Sequence, residues 1–242
     1  MKTAILLFVS LFTFGNSISQ NHKTISGNGS ITTQSYTVTD YDSVNSAGIF
    51  EVNLISGKEG EITVVSESNL LDYIEIFVEK NQLKIQAKKG YQLKTSKNNK
   101  ITVTVPVEKI SGVSLAGSGS ITAQSRLVTE TLKVSLAGSG QMNLQTEATT
   151  VEASIAGSGE LEISGTADYF DLSLAGSGMA KAKALQTKSS ELSIAGSGDI
   201  EINCSENLRA KIAGSGSIEY YGNPEIKNIK VTGSGRVKNA NI

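Results

Sequence analysis

From Val113 onward, apolar side chains fall on alternate positions in short runs, and the runs return at a nearly constant interval. One series of pairs reads Val113/Leu115, Val134/Leu136, Ala153/Ile155, Leu172/Leu174, Leu192/Ile194, Ala210/Ile212 and Ile229/Val231. A second reads Ile121/Ala123, Met142/Leu144, Leu161/Ile163, Ala180/Ala182, Ile200/Ile202 and Ile218/Tyr220. A period of two is the signature of a strand with one buried face, so each pair predicts a strand whose named residues point inward. Between the two series stands Gly-Ser-Gly, beginning at Gly117, Gly138, Gly157, Gly176, Gly196, Gly214 and Gly233, at intervals of 21, 19, 19, 20, 18 and 19 residues. That period is too short for a helix pair, and no leucine-rich consensus accompanies it. The pattern predicts an all-β fold, a right-handed parallel β-helix (β-solenoid) of about 19–20 residues per coil. Stacked at about 4.8 Å, seven coils would cover roughly 30 Å of axis.

The glycines have a structural reason to recur. A bend between two strands of one coil requires backbone angles that Cβ-bearing residues resist, and close stacking leaves no room for side chains. Six corners are preceded by alanine (Ala116, Ala137, Ala156, Ala175, Ala195 and Ala213) and the last by Thr232, which suggests a corner with space for little more than a methyl. A phosphate-cradling loop would open a helix, and no helical period follows any copy. A calcium-binding β-roll needs Asp within each repeat, whereas only Asp199 follows a corner. No cofactor or metal is therefore expected. The outward positions offer two candidate binding features. Ser114, Ser135, Ser154, Ser173 and Ser193 stack into a polar strip, continued by Lys211 and Lys230, while Lys181 is placed between Glu162 and Glu201 in a ladder of alternating charge.

Residues 20–109 lack the regular corner but alternate in Phe50–Leu54, Glu61–Val65, Leu83–Ile85 and Ile101–Val105, which predicts an irregular β region, either continuous with the solenoid of 110–242 or packed on it. Tyr91–Lys100 reads as an exposed loop, and Pro106 as the close of a strand. The order of features resembles a known family, the bacterial auto-transporter adhesins carrying the head GIN domain. It runs Ser46-Ala47-Gly48-Ile49-Phe50-Glu51-Val52, then Asn81-Gln82-Leu83-Lys84-Ile85, then Val103-Thr104-Val105-Pro106, and then Ser114-Leu115-Ala116-Gly117-Ser118-Gly119-Ser120-Ile121 with the repeats after it. The family's Gly-Ile-Asn triplet departs here to Gly48-Ile49-Phe50. The resemblance implies a right-handed parallel β-helix and an envelope protein, and it carries over no ligand residues. A self-exporting auto-transporter would add a barrel of amphipathic strands. The sequence to Ile242 has no such run, so self-export is not expected.

Composition narrows the classes further. With 22 basic and 23 acidic residues the net charge is −1, so no general attraction to nucleic acid is expected. Met1–Ser19 reads as a signal peptide: Lys2, an apolar run from Ala4 to Phe14, and small residues before Gln20. The run is too short to span a bilayer, which takes about 20 apolar residues. Export to the periplasm, outer surface or medium follows. Cys204, the single cysteine, cannot form an internal disulfide and reads as a buried filler. The expected function is non-enzymatic: an adhesin-like surface for a glycan or for an envelope or host protein. One alternative is a polysaccharide-acting β-helix enzyme, which needs grouped carboxylates. The best group, Glu160, Glu162, Asp199 and Glu201, is interrupted by Lys181, and the one histidine, His22, lies at the start of the mature chain. The other alternative is a structural subunit that self-associates through uncapped terminal coils.

Overall fold

The structure is a computed structural model that describes residues 22–241, so the segment 1–19, expected to be a signal peptide, lies outside it. In chain order the elements are β1 (Lys23–Ser26), β2 (Ile31–Thr37), β3 (Ser43–Gly48), β4 (Glu51–Ser56), β5 (Glu61–Glu67), α1 (Ser68–Leu71), β6 (Ile74–Glu79), β7 (Gln82–Ala87), β8 (Tyr91–Lys94) and β9 (Thr102–Val107). They continue as β10 (Gly112–Gly117), β11 (Ser120–Ala123), β12 (Leu127–Gly138), β13 (Gln141–Gly157), β14 (Glu160–Gly176), β15 (Met179–Gly196), β16 (Asp199–Gly214), β17 (Ser217–Tyr221), β18 (Ile226–Gly233) and β19 (Arg236–Asn239).

The repeats stack as a β-solenoid. Leu136 lies beside Leu115 on one side and Ile155 on the other, and the same register places each Gly-Ser-Gly corner directly over the one before. Each coil has two walls, one before the corner and one after it. On the far side they meet at a bend where alternation changes phase, so that in β13 both Thr146 and Val151 are buried. Backbone bonds run through the corners as well: Ser158 N donates to Gly138 O at 2.9 Å and Glu160 N to Gly140 O at 3.0 Å. The inward pairs form one continuous core, with Leu115, Leu136, Ile155, Leu174, Ile194 and Ile212 all buried. Each such side chain contributes about 1.5–3 kcal/mol on leaving water. Cys204 is buried among them as expected.

Three expectations are corrected. Ile229 and Val231 lie in the inward column above Ala210 and Ile212, yet they are 44% and 39% exposed because no described coil covers them. The alanines before the corners are exposed, being outward partners of the buried Leu or Ile beside them, so confined space inside the corner is not what selects them. Ala123 is only half-buried.

The N-terminal region pairs with the same stack. β3 lies in register beneath β10 with Gly48 opposite Gly117, and β4 lies beneath β11 with Val52 opposite Ile121. Ala47-Gly48-Ile49-Phe50 is therefore one more corner, with Phe50 where the repeats have their second glycine. Beneath that coil lie β7 and β9, which come later in the chain but pair in parallel with β3 and β4. The spatial order of these coils is thus not the sequence order. Antiparallel strands finish this end: β6 on β7, and β5 on β9 with β2 beyond it. Of the expected loop Tyr91–Lys100, the first four residues are instead β8. They pair with β1 because Leu93 has a core site to fill and is buried. Pro106 lies inside β9 rather than closing it, beyond the three residues that bond β5, so its missing N–H leaves no gap on that side.

One buried carboxylate holds this end together. Glu67 is buried, and its oxygens accept from Gly29 N at 2.5 Å and Ser96 N at 2.9 Å, tying the β1–β2 turn to the loop after β8. Hydrogen bonds from Ser96 hold its carboxyl below the ordinary glutamate value of 4.5. A depressed carboxylate pKa adds stability that is fully present above that value and is lost as pH falls through the lower, folded one. Thermal melts should therefore show the wild type losing stability on acidification below about pH 4.5, and Glu67→Gln losing less of it over the same interval. Parallel acid limbs for the two proteins would contradict this role.

Candidate functional site

The wall before the corners carries three outward columns. The middle one is the serine strip, Ser114, Ser135, Ser154, Ser173 and Ser193, extended below by Asn45 and above by Lys211 and Lys230. The hydroxyls are close enough to interact, Ser154 Oγ lying 3.4 Å from Ser135 Oγ. On one side run the exposed alanines; on the other run Lys133, Glu152, Asp171, Glu191 and Arg209. Ser114 to Ser173 of the middle column, Lys133, Glu152 and Asp171 beside it, and the turns beneath them enclose a shallow open trough of about 490 Å³, lined also by Asn45 and Gln82.

The charges along the trough are uneven. Lys133 pairs with Glu152 at 3.6 Å, and Glu191 pairs with Arg209 and Lys211, each at 3.0 Å. Among the described residues no cation bonds Asp171, which lies between Glu152 and Glu191. Burial, then Glu191 and Glu152, push its carboxyl above the usual aspartate range. Two residues earlier on the same face, the Tyr169 ring is 37% exposed, and its hydroxyl pKa is raised by burial and then by Asp171. The trough thus joins a row of neutral hydroxyls and amides to one carboxylate with spare acceptor capacity, and the accessible Tyr169 ring lies just outside it, in a neighbouring hollow with Glu191 and Arg209. The sequence brought out the serines; it gave no sign of Tyr169, Asp171, Asn45 or Gln82, which matter only once the coils are in register.

The charge ladder occupies a different surface. Glu162, Lys181 and Glu201 do stack as neighbours, but on the wall after the corner, so they and the serines form two faces rather than one. Lys181 also chooses another partner: its Nζ bonds Glu160 Oε1 at 2.6 Å, diagonally, and this bond is the main reason its ammonium pKa is raised. Asn143 Nδ2 donates to Glu162 at 3.3 Å, and Lys100 pairs with Glu51 at 2.6 Å. Such exposed pairs are worth about 0–1 kcal/mol each. The carboxylate group considered for catalysis therefore has Lys181 bonded to one of its members. Among the described residues no group of three or more His, Cys, Asp or Glu side chains is placed to hold a metal ion, and no helix is long and apolar enough to cross a membrane. His22 lies away from both faces, at the rim of an apolar hollow of about 680 Å³ formed by Ile49, Phe50, Ala87, Tyr91 and Leu93.

Comparisons with known proteins agree with this architecture. The family model "Putative auto-transporter adhesin, head GIN domain" matches residues 40–224. A solved structure described as a putative adhesin from Bacteroides fragilis is similar over 88% of this chain and 99% of its own, at 27% identity and a TM-score of 0.81. Another, described as a putative lipid binding protein from Parabacteroides distasonis, is similar over 89% and 98%, at 29% identity and a TM-score of 0.72. A third, described as a putative adhesin from Parabacteroides merdae, shares the fold at 23% identity and a TM-score of 0.70, over 89% and 98%. No curated protein sequence matches the chain.

Proposed function

We propose an adhesive role for this chain, which belongs to the family of auto-transporter adhesins with the head GIN domain: an exported envelope protein that holds an extended glycan along the serine trough without acting on it chemically. One observation carries the reading. A continuous column of hydroxyls lies in an open trough with an aspartate that, among the described residues, no cation occupies, and the accessible Tyr169 ring stands just outside the trough, two residues before that aspartate on the same face. Sugars present alternating hydroxyl edges and C–H faces. Serine and amide groups can meet the first, an aromatic ring can cover the second, and a free carboxylate accepts from paired hydroxyls more strongly than a neutral acceptor does. The open, elongated shape suits a polymer better than a small molecule, which generally requires a more enclosed cleft.

The experiment is a glycan array probed with the purified protein, joined to an adhesion assay on a deletion strain and protease shaving of intact cells. Retention of one glycan class, reduced adhesion and cleavage at the cell surface are the expected results. An array without binding, together with unchanged adhesion, would reject the reading. A second reading, lipid binding, is favoured by the apolar hollow at Ile49, Phe50 and Leu93 and by the name of one relative. Co-flotation of the protein with phospholipid vesicles, lost in Ile49→Asp, would select it instead.

A further inference from the structure

The two ends of the solenoid carry free strand edges on the same walls. Before the corner the sheet runs β6–β7–β3–β10–β12–β13–β14–β15–β16–β18, and among the described residues β6 bonds only to β7 and β18 only to β16. After the corner, among the described residues, β2 bonds only to β5 at one end and β19 only to β17 at the other. Eight large apolar side chains are exposed among the described residues, and five of them, Ile31, Phe77, Ile226, Ile229 and Val231, lie on these edge strands. Unpaired edges with apolar side chains are templates for adding another strand.

We propose that the protein assembles head to tail, β6 of one copy adding to β18 of the next. Direction and register both permit it. β6 runs antiparallel to β7, and β7 runs parallel to the whole stack up to β18, so a second copy translated along the axis presents β6 antiparallel to β18. The core side of β6 carries Ile74 and Ile76, and that of β18 carries Ile229 and Val231. Setting Ile76 opposite Ile229 brings Ile74 opposite Val231 and Glu75 opposite Lys230. On the outer face it makes Phe77 a diagonal neighbour of Ile226, close enough for contact. The two half-open cores then close on each other. Lys227, in the inward column, keeps its ammonium 5.9 Å from the Tyr220 ring while its stem lies along Val78.

Charge selects this pairing over a tail-to-tail one. The last coil carries Lys227, Lys230, Arg236 and Lys238 with only Glu225 as an acid, and among the described residues none of the four cations pairs with a carboxylate. Two such coils facing each other would set lysine against lysine, whereas β6 offers Glu75, which no cation pairs among the described residues, beside Glu79 with its partner Lys84. Because the contact joins different surfaces, it does not close at two copies and extends into a filament.

Sedimentation velocity of protein expressed from residue 20, across about a hundredfold range of concentration, should show a ladder of species that lengthens by mass action, with rods in electron micrographs. Glu75→Lys and Lys230→Glu should each weaken association by at least about tenfold, while the double variant restores it. Melting temperatures of the variants at low concentration report that the protomer remains folded. A protein that stays monomeric throughout overturns the proposal. So does one that stops at a dimer indifferent to Glu75→Lys.

Discussion

Gly157→Ala should lower the stability of the protein by about 2–6 kcal/mol, a large effect for a single added methyl. Two separate penalties meet there. Gly157 has a φ of +117°, which costs an L side chain about 1–3 kcal/mol. A Cβ at this position would also lie 2.5 Å from Gly138 O of the coil below, and the coils would have to separate to accommodate it, at roughly another 1–3 kcal/mol. For a chain of this size the melting temperature should fall by roughly 5–20 °C. Two other glycines separate the causes. Gly29 has a φ of +81° with open space around it, so Gly29→Ala should show the backbone cost alone. Gly159 faces inward with ordinary angles, and its Cβ would meet Gly140 O at 2.8 Å and Leu136 Cδ2 at 2.9 Å, so Gly159→Ala should show the steric cost alone. Ser158→Ala, at the exposed tip between them, should change stability by less than about 0.5 kcal/mol. In a stack held by nearest-neighbour contacts, damage at one corner is also expected to divide the melt into two transitions. A melt of Gly157→Ala that overlays the wild type would refute this account of the corner.

That test also marks what the sequence can convey. The corners and inward columns were legible because a translational repeat puts the same physical demand on each coil, and seven copies make the demand visible. Gly48 obeys it too, with a φ of +128° directly beneath Gly117, but Ile49 and Phe50 replace the serine and second glycine, so a search for the motif passes over it. The placement of β7 and β9 below β3 and β4 reverses chain order. Nothing local to residues 82–107 expresses such a pairing, because it is decided by which edge remains open when the antiparallel strands close the end. The end effects were hidden for a related reason. Ile229 and Val231 have the same local pattern as Leu192 and Ile194 and differ only in that no described coil covers them. For the candidate site, spacing alone aligned the serines. Spacing likewise set Lys181 between Glu162 and Glu201, but it could not convey that the long side chain reaches diagonally to bond Glu160.

Ser154→Trp should abolish ligand binding while leaving the fold intact, with affinity falling by roughly a hundredfold or more. Ser154 is exposed at the middle of the serine column, so an indole there costs the core nothing, yet it fills much of a trough of only about 490 Å³. An extended ligand would lose its contacts on both sides of the block. Asp171→Asn should act more gently: replacing a charged acceptor by a neutral one forfeits part of a bond worth about 1.5–3 kcal/mol, which weakens affinity by up to roughly a hundredfold. It should also remove any loss of binding seen as pH falls through the raised Asp171 carboxyl value, because protonation gives up the same acceptor. The matching control is Asn143→Trp, equally exposed but on the wall after the corner beside Glu162. It should leave binding unchanged if the serine face is the site. Titration of each variant with the best glycan from the array, beside its melting curve, decides between the faces. Loss of affinity in Asn143→Trp with retention in Ser154→Trp would move the site to the charge ladder, where Glu162, Lys181 and Glu201 would become the residues to test.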